Sequence, residues 1–216
     1  MNETQRQSLL GAIAISSGAP GMGTITSQQR SEAFANLEQF KTYPGRVAAC
    51  VEMIGCTTLQ ISPPGGYGSA QVDVTVPGKL YALGVIQEYL KVGYISLNEA
   101  DRGQLRSSIV LAARQLSMPN ATTDAASGIK IPDSTRILAV KIAALLADLA
   151  LREFPQRWQT FVSDLFSPVS KGGMWCEPGA DAGANTIGVK ICLECLKLIT
   201  EDCTDSDYNA RVSACR

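Results

Sequence analysis

The sequence predicts an all-α chain built from antiparallel helix pairs, and three observations carry that expectation. Apolar residues recur at helical spacing along almost the whole length, with strict alternation in a single short stretch. The periodic segments are separated by breaks rich in Gly and Pro. The leading helices of successive pairs recur at similar intervals, starting near Ser27, Pro77, Asp133 and Asn185.

A first helix is expected over Thr4 to Ser16, with Thr4 and Gln7 placed to form a capping box, before a breaker at Gly18 to Gly23. A second starts at Thr26 or Ser27 and sets Ala33, Phe34, Leu37 and Phe40 on one face. Pro44 opens a third that runs to about Cys56. The stretch Ile61 to Pro77 reads as a long loop, in which the alternating Val72, Val74 and Val76 form a short extended piece. Helices follow over Gly78 to Val92 and Asn98 to Leu116, the second capped by Asn98 and packing Leu105, Ile109, Ala112 and Leu116. Beyond a polar loop, Ser117 to Ile131, Pro132 and Asp133 start a helix that ends at Phe154. Its Leu138, Ile142, Leu145 and Leu149 make it apolar on several sides, as a helix sandwiched between neighbours is. Pro155 at a first helical position opens another helix, whose Trp158, Phe161, Val162, Leu165 and Phe166 form the cleanest amphipathic stripe in the chain. After a second Gly/Pro loop, Ser167 to Ala184, a helix runs from Asn185 to about Glu201, and the last residues open one more.

The intervals between leading helices are about 50, 56 and 52 residues, against about 40 to 47 for HEAT-type helix pairs, and the long loops account for the excess. Periodicity alone fits a plain helical bundle equally well. The pairs are expected over about 27–57, 78–116, 133–166 and 185–216, with the last one incomplete at Arg216.

Composition excludes several functions. Nineteen Lys and Arg against twenty Asp and Glu leave a net charge of −1, so no global basic field holds a polyanion. Histidine is absent, which removes the usual general base at neutral pH and the commonest metal ligand. Seven cysteines, odd in number and mostly inside apolar helical runs, suit free thiols in a reducing compartment. The most hydrophobic run, Ile137 to Leu151, is too short and too charged to cross a bilayer, so no membrane is expected among the partners.

The motifs that could carry chemistry fall short one by one. Cys192 and Cys195 have the spacing of a zinc or dithiol pair, but two further ligands are needed, and Ile191, Leu198 and Ile199 around them are core-type residues. Buried helix thiols are the expected reading. Asp205, Asp207 and Asn209 begin like a calcium loop, yet Ala210 stands at its turn glycine and Arg216 at its closing glutamate. The glycines from Gly18 to Gly23 lack the Gly-Lys-Ser/Thr ending of a phosphate cradle, and a connector is expected there. Asn120 would accept a glycan only in a secreted chain. No active site is assembled, and neither enzymatic activity nor a cofactor is expected.

One segment remains. Arg152-Glu153-Phe154-Pro155-Gln156-Arg157-Trp158 is physically a helix end, a proline-enforced corner and an aromatic wedge. It resembles the basic, acidic, aromatic, Pro-Gln-x-Trp corner in the third helical repeat of exportins, members of the importin-β superfamily. Phe154 stands where that family usually has tryptophan, and Gln159 where a proline commonly follows. Ala33 to Lys41 and Leu80 to Tyr94 are similar to the second helix and the second-repeat leading helix of exportins, and Glu201 to Asn209 to an acidic helix end. Arg152 and Glu153 before the Pro-Gln-x-Trp make the corner look more like the exportin-5 branch than the exportin-1 branch.

The resemblance implies a right-handed α-α superhelix of HEAT-type pairs covering residues 1–216 as the N-terminal part of a longer nuclear export receptor. It implies binding of the small GTPase Ran in its GTP form by the second helices of the pairs, here 44–56, 98–116 and 155–166. The polar positions on those helices are Glu52, Arg102, Arg106, Gln156, Arg157 and Asp164, with Phe154, Pro155 and Trp158 forming the packing corner. It further implies nucleoporins as partners, shuttling between nucleus and cytoplasm, and cargo bound mainly by repeats outside this chain: structured RNA for an exportin-5-like carrier, protein for an exportin-1-like one. A HEAT scaffold without Ran is the other class of function left open.

Overall fold

The computed structural model describes residues 1–61, 71–117, 133–166 and 186–204. It is all-α apart from one two-residue strand pairing among these residues, and it divides into two compact units, Met1–Ser96 and Leu97–Arg216.

In the first unit, α1 (Glu3–Ser17) and α2 (Ser27–Lys41) both open on capping boxes. At α1 the cap is Asn2, whose Oδ1 accepts the Gln5 N–H at 2.8 Å while Gln5 Oε1 accepts the Asn2 N–H at 3.1 Å. The box therefore lies two residues before the expected Thr4–Gln7 pair, because Asn is the stronger cap and leaves Gln7 to bond Glu3. At α2 Thr26 and Gln29 exchange the same two bonds. Between these helices Gly18 takes the left-handed conformation, φ 65°, that ends α1.

The α2 face buries Ala33, Leu37 and Phe40, but Phe34 is 57% exposed, one position off the stripe it was expected to join. That face lies on α1, where Leu9, Leu10 and Ile13 are buried and Asn36 Nδ2 donates to Ser8 Oγ at 2.9 Å. The helix against α2 is thus α1, whereas the 27–57 pairing gave it α3. α3 (Arg46–Gly55) instead packs on α4 (Thr75–Val92), through Cys50, Met53 and Ile54 on one side and Ala82, Leu83 and Ile86 on the other. Tyr81 Oη donates to Leu37 O at 2.8 Å and ties α4 to α2.

The alternating valines do form an extended piece, shorter than expected. β1 (Gln60–Ile61) pairs antiparallel with β2 (Val72–Asp73), Gln60 opposite Asp73 and Ile61 opposite Val72. Asp73 Oδ1 then accepts both the backbone N–H and the hydroxyl of Thr75, so α4 starts at Thr75 and takes in Val76. Gly78 sits where α4 meets Leu59: a Cβ there would lie 2.7 Å from Leu59 Cδ1. A short 3-10 turn, Tyr94–Ser96, follows.

In the second unit, α5 (Glu99–Ser117) is capped by Asn98, whose Oδ1 accepts the Asp101 N–H at 2.9 Å, as the sequence predicts. α6 (Asp133–Glu153) packs against both α5 and α8 (Thr186–Thr204), and its Ile142, Leu145, Leu146 and Leu149 are fully enclosed. The sandwiched helix expected here is therefore present. The open faces of these helices still carry apolar side chains, Ile137 and Val140 on α6 and Val189 and Leu193 on α8. No helix among the described residues is long and apolar enough to cross a membrane.

Ile86 is wholly buried and Phe34 is more than half exposed. Ile86→Ala is expected to destabilise the chain by roughly 2–5 kcal/mol, and Phe34→Ala by no more than about 0.5 kcal/mol. Urea unfolding followed by far-UV circular dichroism checks both, and a Phe34→Ala cost equal to that of Ile86→Ala would overturn the assigned face of α2.

Candidate partner-binding corner

The last helical bond of α6 is the Phe154 N–H to Ala150 O at 2.8 Å, after which Pro155 has no N–H to continue the ladder. The Phe154–Pro155 peptide is cis. The chain folds back through a turn in which Glu153 O accepts the N–H groups of both Arg157, at 2.7 Å, and Trp158, at 3.0 Å. Residues 155–160 are therefore not helical. The helix expected to open at Pro155 is confined to α7 (Phe161–Phe166), since the first-turn bond after the corner runs from Asp164 N to Thr160 O at 2.7 Å. The apolar stripe survives in part: Trp158, Phe161 and Leu165 are buried, while Val162 is 45% exposed.

The corner is held by charge as well as by packing. Glu153 is the one buried charged side chain among the described residues, with no exposed surface. Its Oε2 lies 2.7 Å from Arg106 Nη1, reached across from α5. The same Nη1 donates to Arg157 O at 3.1 Å, and the guanidinium stands 5.8 Å from the Trp158 ring centre. A single guanidinium thus joins the end of α6, the backbone of the turn and the face of the wedge. Trp158 meets Phe161 edge to face at 4.9 Å and donates its Nε1–H to Asp164 Oδ2 at 2.7 Å. Thr160 Oγ1 donates to the same carboxylate oxygen at 2.8 Å. Outside this layer Arg157 Nε pairs with Glu99 Oε2 at 3.2 Å, and Arg102 reaches the same oxygen at 3.9 Å.

Five of the six polar positions named from the sequence, Arg102, Arg106, Gln156, Arg157 and Asp164, fall in this unit, and four of them engage one another's partners at the corner. Glu52 lies on α3 in the first unit, paired with Arg6 at 3.6 Å. Arg106 and Asp164 turn inward and position the turn and Trp158, which leaves Phe154, Pro155, Gln156 and Arg157 as the exposed rim. Sequence reasoning missed the role of Glu153. The signal was available, because Glu153 continues the α6 register of Ile142, Leu146 and Leu149, so a carboxylate there had to be buried and paired. Glu99, which gathers Arg102 and Arg157, carries no comparable signal.

The thiols of Cys192 and Cys195 are buried as expected, and Cys192 Sγ donates to Leu165 O at 3.1 Å. Burial pushes both up to about 12. Among the described residues no three His, Cys, Asp or Glu side chains gather as for a metal. The side chain of Cys203, and all of Cys176, Cys215, Asn120 and the 205–216 stretch, lie outside the described residues.

Residues 135–214 match the family described as exportin 1-like protein. The match covers most of α6, the whole corner, α7 and α8, 80 of the 216 residues. No curated protein and no solved structure matches the chain.

Arg106→Met leaves the buried Glu153 carboxylate without the Arg106 cation and is expected to cost about 3 kcal/mol, while Arg106→Met with Glu153→Leu costs less than the sum of the two single changes. Additive single costs in urea denaturation would show that the pair is not coupled. Cys50, Cys192 and Cys195 are each held at about 12 by burial, above the ordinary 9.0. At pH 8 they should alkylate many times more slowly than half-exposed Cys56, by peptide mapping of the labelled native protein. The raised values mean that the folded state keeps protons which the unfolded state loses, so their contribution to stability is complete below about pH 9 and falls as pH rises toward about 12.

Proposed function

We propose that this chain is a Ran-GTP-binding segment of a nuclear export receptor, non-catalytic, with the corner at Phe154 to Trp158 as part of its GTPase-facing surface. The observation that carries the reading is the position of that corner. It is the segment by which the sequence resembles exportins, it lies inside the 135–214 match, and it is fixed by the Arg106–Glu153 and Trp158–Asp164 contacts. A preformed surface of this kind costs little ordering entropy when a partner binds.

Within this reading Gln156 and Arg157 on the rim, with Arg102 beside them and Glu52 on α3, make the contacts, while Arg106 and Asp164 position the rim. The packed helices within each unit, α1 on α2 and α3 on α4 in the first and α6 against α5 and α8 in the second, are read as HEAT-type repeats of a solenoid, in place of the 27–57 and 78–116 pairings. Ran-GTP and cargo favour the same curvature of that solenoid, so each tightens the binding of the other, and GTP hydrolysis on Ran releases both. The receptor contacts nucleoporins and shuttles between nucleus and cytoplasm. The Arg152–Glu153 pair before Pro155 supports an exportin-5-like carrier of structured RNA with a short overhang. The description of the matched family favours, as a second reading, an exportin-1-like receptor of protein cargo.

The test is retention of Ran on the immobilised chain. Ran loaded with a non-hydrolysable GTP analogue is expected to be retained at least about tenfold better than Ran-GDP, a difference of about 1.4 kcal/mol, and Arg157→Glu should abolish the preference. Equal retention of the two forms would leave a HEAT scaffold without Ran. Ran-GTP-dependent retention of a hairpin RNA with an overhang, or of protein cargo instead, separates the two branches.

A further inference from the structure

We propose that Thr160 is a phosphorylation site whose modification unlocks the Trp158 corner, an inference that does not depend on the transport reading. Thr160 is exposed, and it stands in the non-helical stretch between α6 and α7. Arg157, three residues earlier, has a 40% exposed side chain whose guanidinium pairs with the exposed Glu99, so an acidic kinase subsite can compete for that guanidinium at the surface. Arg114 and Ser117 have the same spacing, but both lie in α5, whose backbone is already committed to helical bonds.

The consequence follows from one shared oxygen. Thr160 Oγ1 and Trp158 Nε1 both donate to Asp164 Oδ2, at 2.8 and 2.7 Å. Phosphorylation moves the γ-phosphoryl group of ATP to Oγ1: the new O–P bond forms as the bond to the departing ADP oxygen breaks, and the hydroxyl proton goes to the base of the kinase. The former donor then carries about two negative charges beside a carboxylate. Asp164 has to swing away, and the buried Trp158 loses the partner of its N–H. The ring, only 5% exposed in the unmodified chain, is freed to leave its place under Arg106 and against Phe161.

The experiment uses the full chain in a Trp175→Phe background, so that Trp158 is the only tryptophan, with ATP and a protein kinase that selects Arg three residues before its acceptor. Fragmentation mass spectrometry is expected to place the phosphate on Thr160. Arg157→Ala should lower the rate of incorporation about tenfold, as loss of one charge-assisted contact does. Trp158 emission should move to longer wavelength on phosphorylation. Thr160→Glu should reproduce the shift and Thr160→Val should not. Asp164→Asn, which removes the repelling charge, should accept phosphate with a much smaller shift. Absence of phosphate at Thr160 overturns the site, and stoichiometric phosphate with unchanged emission overturns the unlocking. A full shift in phosphorylated Asp164→Asn would show that charge repulsion is not its cause.

Discussion

The second unit depends on the pairing of Arg106 with Glu153. A carboxylate with no exposed surface at the end of α6 is tolerable only with a cation and further donors against it. Arg106 supplies the cation, and the planar fork lets it bond the turn backbone and cover Trp158 at the same time. Lysine could neutralise the charge but could not serve the other two. Since Arg106 comes from α5 and Glu153 from α6, the pair also fixes how those two helices register, which α6 then passes to α8 through its apolar face.

Around that pair, function and stability divide between the two sides of the turn. The inward side, Arg106, Glu153, Trp158 and Asp164, is saturated with internal partners. The outward side, Phe154 to Arg157, presents its side chains to solvent from a backbone held at both ends. A rim of this kind can recognise a partner without rearranging, and it responds to anything that disturbs the inner layer.

Much of this fold was legible in the sequence because helical periodicity is a direct record of burial. The α6 stripe, the Asn98 cap and the buried Cys192 and Cys195 follow from residue type and spacing alone. Failures came where two local signals competed. Asn2 outbid Thr4 as a cap, and Asp73 began α4 earlier than the glycine at 78 implied. At Pro155 the favourable first-turn position of proline pointed to a helix start, while the actual chain spends the N–H groups of Arg157 and Trp158 on Glu153 O. Tertiary partners such as Arg106 with Glu153, or Glu99 with Arg157, are invisible to periodicity, because they join residues 47 or more positions apart. Which helix packs on which is likewise a three-dimensional fact, as α1 rather than α3 against α2 illustrates.

The apolar side chains left on the open faces of α6 and α8 bear on how the chain behaves in solution. Ile137, Val140, Val189 and Leu193 are each at least 42% exposed, and the whole chain carries a net charge of only −1. Colloidal repulsion between copies is therefore feeble near neutral pH, and excluded salts that strengthen apolar contact act on these faces first.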